Sequence, residues 1–354
     1  MKALTLRGPR RVELAEAPWP EVQGPRDAVV RVTMTAICGT DLHPYRGEIG
    51  GFRRDTVMGH EFVGVVEAVG GEVPATLAPG TRVVASDVIA CGRCWWCRRG
   101  FHYQCPQVAL FGYGEVVGDY VAGGQAEAVR VPFADTVLAP LADDLADEAA
   151  LFVGDILATG WTAAVDGGIG GGELVAVVGC GPVGLCAALS ATARGAATIV
   201  GVDPLPARRR AATALGMIAV APSDAAAVVR DLSRGRGADV VVEAVGTSAA
   251  LAGALDLSRA RGVVVAVGAH HSTYELDTAD GFARELTLRF AVGDPIRYAA
   301  ELLELVRAGV VDATVVVSHR LSLDDAAPAY DLFDQGEATK VVLTPSGKTG
   351  EPAR

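Results

Sequence analysis

Four cysteines, Cys91, Cys94, Cys97 and Cys105, fall within fifteen residues. Thiolates gathered by such short loops satisfy a tetrahedral Zn²⁺ and leave it no open position, which makes such a site structural. An iron–sulfur cluster and unmetallated buried thiols are the alternatives. Trp95, Trp96, Arg98 and Arg99 share the loop, and the cations are expected to lower the thiol pKa values. A second set is scattered. Cys38-Gly39-Thr40-Asp41-Leu42-His43 ends one β-rich run, Gly59-His60-Glu61 starts another, and Gly154-Asp155-Ile156-Leu157-Ala158-Thr159-Gly160 lies at a change of texture. One thiolate, one imidazole and one carboxylate give zinc three ligands and an open fourth position, as catalytic sites require. Singly, each of these residues is commonplace, since a lone Cys is usually core. Their joint occurrence with the next motif gives them weight.

That motif is Gly179-Cys180-Gly181-Pro182-Val183-Gly184, with an apolar strand before it and a helical pattern after it. Glycines there let the backbone approach a pyrophosphate, and the helix start offers unpaired N–H groups. Asp203 follows Gly184 by nineteen residues, at the end of the next apolar run. Its carboxylate would accept from both ribose hydroxyls and repel a 2′-phosphate, which favours NAD over NADP. Arg208, Arg209 and Arg210 nearby pull the other way. A purely structural Gly-rich turn is the alternative.

These residues need two kinds of scaffold. Short β-rich runs with turn signals fill residues 1 to about 140: Asp27–Met34, Phe62–Val69, Thr81–Val84 and Ala126–Val131. From Asp143 to about 290, apolar strands at Leu174–Val178, Thr198–Val202, Asp239–Val245 and Gly262–Val267 alternate with Ala-rich helices, the mark of a buried parallel sheet. A helix over Pro295–Ala308 and a β-rich tail ending near Leu343 return to the first texture. Ser346–Arg354 has the composition of a disordered tail. The expectation is an α/β cofactor domain, residues 156–291, inserted into a β-rich domain of residues 1–155 and 292–354, with a metal lobe at about 88–108.

Composition narrows the function. The chain has 354 residues, a net charge of −11 and no visible signal peptide, so it is expected to be cytoplasmic, with no nucleic-acid or anionic-membrane partner. Leu174–Ala193 carries no charge, but its Gly/Pro cluster reads as strand, turn and helix and not as a membrane span.

In order and spacing, the Cys38–His43, Gly59–Glu61, four-cysteine, Gly123-Gly124-Gln125-Ala126-Glu127 and Gly179–Gly184 segments resemble the zinc-dependent alcohol dehydrogenases of the medium-chain dehydrogenase/reductase superfamily. The likeness runs over essentially the whole chain and is greatest to the formaldehyde-dehydrogenase-like bacterial branch. It implies a Rossmann cofactor domain inserted into a GroES-like catalytic domain, a catalytic and a structural zinc, NAD, and a homodimer or homotetramer joined through the cofactor-sheet edge. By resemblance, Cys38, His60 and Asp155 hold the catalytic zinc, Glu61 is a transient ligand, and Thr40 and His43 relay the alcohol proton. Thr159 would contact nicotinamide and Lys340 the pyrophosphate. The implied reaction is reversible oxidation of an alcohol to an aldehyde or ketone, with polyol, amino-alcohol or thiol-adduct (formaldehyde-type) oxidation as variants. A non-catalytic dinucleotide-binding protein is the remote alternative. Asp87 stands where relatives often carry an apolar or aromatic pocket residue, and would suit a polar or cationic alcohol; an exposed strand-end Asp is the plainer reading.

Overall fold

The computed structural model describes residues 1–345, so the Ser346–Arg354 tail lies outside the described residues. The chain divides into two compact units. The first comprises residues 1–155, 294–309 and the chain from Val317 on; the second comprises 156–293 and 310–316.

The first unit is built on a mainly antiparallel sheet. Its central strand, Ala28–Ile37, pairs with Glu61–Val69 on one side and with Val341–Thr344 on the other, and its first half also pairs with Ala128–Val131. Two register irregularities, at Val29/Val30 and Val32/Met34, fall within the pairing to Glu61–Val69. Such bulges increase local twist and let one strand serve two sheet directions. Register then decides what meets. Ala36 faces Glu61 and Ile37 faces Val341, so Cys38, Glu61 and Lys340 arrive at the same end of the sheet from three distant parts of the chain. Val30, Val32, Phe62, Val66, Val83 and Phe111 fill the core on one side. Ile37, Tyr45, Met58 and Tyr330 belong to a second core around the helix Ala326–Asp334.

The second unit is a six-stranded parallel sheet. From edge to edge the strands are Ile218–Val220, Thr198–Val202, Leu174–Val178, Ala238–Glu243, Ser258–Ala266 and Thr287–Phe290. In chain order this is 3-2-1-4-5-6, the Rossmann arrangement, with its switch point beside Leu174–Val178. All five residues of that strand are buried, as a strand covered by helices on both faces must be. The charge-free stretch Leu174–Ala193 is therefore a strand, a turn and the helix Pro182–Ala193. Among the described residues, no single helix is long and apolar enough to cross a membrane.

The segment 310–316 corrects the expected boundary. Val311, Ala313 and Val316 are buried, and their short 3₁₀ turn packs with the helix Pro182–Ala193, which takes the segment into the second unit. The two edge strands, Ile218–Val220 and Thr287–Phe290, lie outside the expected strand set; they are short and none of their residues is fully buried.

Gly184 shows how tightly the turn is built. A Cβ there would lie 1.8 Å from the Gly179 carbonyl oxygen. Gly184→Ala should therefore force the helix off the strand, cost about 1–3 kcal/mol and weaken dinucleotide binding. Thermal unfolding and NADH fluorescence titration would check this; an unchanged melting temperature would mean the contact relaxes freely.

Candidate metal centre and cofactor turn

Cys38 follows the central strand and caps the helix Gly39–Arg46. Asp41, three residues on, accepts the Cys38 N–H through Oδ2 at 2.9 Å, a capping-box arrangement that fixes the entry of the chain into the helix. The same carboxylate places Oδ1 3.2 Å from His60 Nδ1, which leaves His60 Nε2 pointing the other way, 3.3 Å from Asp155 Oδ2. Asp155 Oδ2 also lies 3.3 Å from Cys38 Sγ. With Glu61, these side chains offer four ligand atoms within 4.8 Å of one another, all buried. Gly59, at φ +93, brings the chain in, and a Cβ there would lie 2.4 Å from Gln125 Cγ.

The charges confirm how crowded the centre is. Burial, reinforced by Asp155, pushes the Cys38 thiol up to about 12. Burial alone would lower His60, but Asp41 and Asp155 outweigh it and raise the imidazole well above its usual range. Burial would raise Asp155, yet His60 holds it well below the usual carboxylate range. Glu61 is pushed up to about 7, chiefly by burial, with Lys340 opposing and Asp155 assisting. Glu61 Oε2 has no hydrogen-bond partner among the described residues. A soft thiolate, an imidazole and carboxylates gathered out of water suit a zinc ion, which would supply the positive charge they lack.

The four lobe cysteines also converge, their sulfurs within 4.8 Å of one another. The Cys97 N–H donates to Cys94 Sγ at 3.4 Å, and the Cys91 and Gln107 N–H groups donate to Cys105 Sγ at 3.4 and 3.3 Å. The backbone thus prepares thiolate acceptors. Arg99 stacks on Trp95, 3.9 Å from the ring centroid, and the fall of Cys94 to about 7 comes from the Cys97 N–H first, then from the Cys97 thiol, the Trp96 N–H and the Cys91 thiol, against burial. The expected role of Arg98 and Arg99 in lowering thiol pKa values is corrected accordingly.

In the second unit, Gly179 turns at φ +95, and Gly181 caps the helix with Pro182 in its first turn. Gly181, Pro182 and Val183 are partly exposed, and nothing approaches a Cβ at Gly181 more closely than Arg208, at 3.9 Å. That leaves open backbone N–H groups where a phosphate could sit. Asp203 accepts from the Cys180 N–H and the Leu205 N–H, both at 2.9 Å, with Arg208 Nη1 3.6 Å away. Thr159, on the helix Ile156–Asp166, packs against Gly293.

Comparison with known proteins fits this geometry. Residues 24–141 match the family described as alcohol dehydrogenase GroES-like domain, and residues 182–308 match that described as zinc-binding dehydrogenase. A zinc-type alcohol dehydrogenase-like protein, AdhB, of Bacillus subtilis (strain 168) is 34% identical, covering 98% of this chain and all of its own length. The chain belongs to the zinc-type alcohol dehydrogenases. Alcohol dehydrogenase TADH from Thermus sp. ATN1 superposes with a TM-score of 0.93 at 39% identity, over 97% of this chain and 99% of its own. A zinc-binding dehydrogenase from Sinorhizobium meliloti 1021 bound to NADP gives 0.83 at 30% identity, over 97% and 99%.

One residue of this alcohol dehydrogenase-family chain departs from what the resemblance implies. Lys340, expected at the pyrophosphate, is completely buried, and its ammonium is bonded to Glu61 at 2.5 Å. Register explains this, since Lys340 precedes Val341, the partner of Ile37, and so enters the metal centre. Sequence reading also gave no role to Asp41, Gln125 or Tyr330. Gln125 donates to the Ala36 carbonyl and to Asp41, and accepts from the Tyr330 hydroxyl at 2.8 Å. Asp41 and Gln125 lie inside quoted motifs, whereas Tyr330, on the helix Ala326–Asp334, carried no such signal.

Removing the buried cation should be costly. Lys340→Met strands the Glu61 carboxylate beside Asp155, and should cost about 3–5 kcal/mol in urea unfolding. Adding Glu61→Gln should recover most of the loss. A Lys340→Met protein as stable as wild type would show that the pair does not hold the centre together.

Proposed function

We propose that this protein oxidises an alcohol to an aldehyde or ketone, reversibly, with NAD as hydride acceptor. The convergence of Cys38, His60, Glu61 and Asp155 into one buried donor set carries this reading. Zinc held by Cys38, His60 and Asp155 would supply Lewis acidity toward the alcohol oxygen, and the nicotinamide would supply the hydride acceptor. Every other task falls to the chain. Thr40, in the first turn after Cys38, takes the hydroxyl proton and passes it on, because a hydroxyl donates and accepts at once. His43 lies on the same helix face three residues on. Glu48 Oε2, 2.8 Å from His43 Nδ1, orients the ring so that Nε2 receives the proton.

Other residues position or discriminate. Glu61 is a reserve ligand kept in place by Lys340. Gly179, Gly181, Pro182, Val183 and Gly184 form the pyrophosphate turn, and Thr159 meets the nicotinamide. Asp203 supports NAD over NADP: its carboxylate is almost wholly buried and would meet a 2′-phosphate with its charge, while it also keeps Arg208 close to itself. The four-cysteine lobe holds a second, structural zinc. Self-association into a homodimer or homotetramer is part of the reading, supported by the exposed edge strand Thr287–Phe290, where Phe290 is 63% accessible.

Metal content and cofactor choice test the reading together. Elemental analysis should find about two zinc per chain. Cys38→Ser should lose one of them along with alcohol-dependent NADH formation, while melting near the wild-type temperature. Cys94→Ser should melt lower. NAD⁺ should exceed NADP⁺ in kcat/KM by about 10-fold or more. A wild-type chain holding one zinc or none, or one preferring NADP⁺, would contradict the corresponding assignment.

The relay has its own test. Thr40→Val keeps the shape and removes the hydroxyl, so alcohol oxidation should fall by roughly 10²–10⁴-fold, the range for positioned proton transfer. Thr40→Ser should keep most of the rate. If Thr40→Val turned over normally with a full deuterium isotope effect, the proton would be leaving by another route.

A further inference from the structure

Asp87 belongs to neither the ligand set nor the relay, yet its backbone is fixed beside the residue that precedes Asp155. Its N–H donates to the Gly154 carbonyl at 2.9 Å, the residue before Asp155, and its carbonyl accepts from the Phe111 N–H at 3.4 Å. Four residues later Cys91 enters the cysteine lobe. The residue is half-buried, and burial first, then the charge of Asp155, hold its carboxyl well above the usual carboxylate range, with His60 and the Val88 N–H opposing. Its Oδ1 is buried and has no hydrogen-bond partner among the described residues. Two buried carboxylates away from the centre, Asp27 and Glu243, are well satisfied. Asp27 accepts from two backbone N–H groups and Arg130, and Glu243 accepts from two backbone N–H groups and faces His270. Of the other buried carboxylate oxygens without such a bond, Glu61 Oε2 is in the ligand set and Asp41 Oδ1 faces His60.

An orphaned buried acceptor on rigid backbone beside a reaction centre calls for a partner that arrives with the ligand. We propose that Asp87 accepts a hydrogen bond from a second donor on the substrate, adjacent to the reacting carbinol, so that the enzyme selects vicinal diols or 2-amino alcohols over simple alcohols. The inference rests on the reading of Cys38, His60 and Asp155 as the place where the carbinol oxygen is held. A substrate with only one hydroxyl leaves Oδ1 unpaired when it displaces water, and sites built around such a bond discriminate strongly against analogues that lack it. Either a hydroxyl or an ammonium supplies the donor.

The test compares 1-propanol, 1,2-propanediol and 2-amino-1-propanol on the zinc-loaded protein, for wild type, Asp87→Leu and Asp87→Asn. Ratios of kcat/KM within each protein cancel any general loss of folding or metal. Wild type should favour one or both of the bifunctional alcohols by at least about 10-fold. Asp87→Leu should bring the ratio to about 1 or below. Asp87→Asn keeps an acceptor without the charge, so it should preserve a diol preference and abolish an amino-alcohol preference, which identifies the donor. A second readout needs no turnover. With NADH bound, glycolamide should bind at least about 10-fold more tightly than acetamide by calorimetry in wild type, and equally in Asp87→Leu. A wild type that favours 1-propanol, or a ratio unchanged by Asp87→Leu in either assay, overturns the proposal. A protein that oxidises no alcohol yet still discriminates the amides through Asp87 would remove the proposed reaction and leave the Asp87 contact standing.

Discussion

Burying acids together without enough positive charge is the constraint around which the first unit is organised. Cys38, Asp41, Glu61 and Asp155 converge on one imidazole, His60, and one ammonium, Lys340. Each anion alone would be too costly to hold away from water. The structure answers in two ways. Asp41 and Asp155 grip opposite nitrogens of His60, and Lys340 neutralises Glu61. What remains is a thiol and carboxylates still short of cation, a demand that a divalent metal would meet.

The sheet makes this crowding achievable. Three strands distant in sequence deliver Cys38, Glu61 and Lys340 to one end because the register pairs Ala36 with Glu61 and Ile37 with Val341. A slip of one residue would turn every one of these side chains to the opposite face. Behind them, Phe62 closes on Gly124 so tightly that a Cβ there would lie 2.3 Å from its ring, and Tyr330 reaches through Gln125 to Asp41. Packing and electrostatics are thus one device. The apolar core fixes the backbone, and the fixed backbone holds polar groups at separations they would not choose alone.

The second unit follows a different logic, with backbone geometry foremost. Gly179 and Gly184 permit the close strand–helix approach, Gly181 leaves the helix start open, and Asp203 ties the turn to the next strand through the Cys180 N–H. Here a carboxylate organises N–H donors, whereas around Cys38 the carboxylates compete for His60 and Lys340. That contrast is why Asp203 orients a turn, while Asp155 and Glu61 stay short of positive charge.

The sequence by itself determined the motifs whose chemistry is local: the four cysteines, the glycine turn, and strands such as Leu174–Val178 and Thr198–Val202, because short loops and continuous apolar runs specify their own geometry. It also placed Cys38, His60 and Asp155 as candidates by residue type. Only the tertiary structure decided what their neighbours do. Lys340, matched by resemblance to a cation at the pyrophosphate, becomes the buried partner of Glu61, since antiparallel pairing of Val341 with Ile37 across about 300 residues carries it there. Asp41, Gln125 and Tyr330 gain their roles in the same way, from contacts with no sequence period. Val310–Val316 joins the second unit for an equally non-local reason: its apolar side chains find burial against a helix more than a hundred residues earlier.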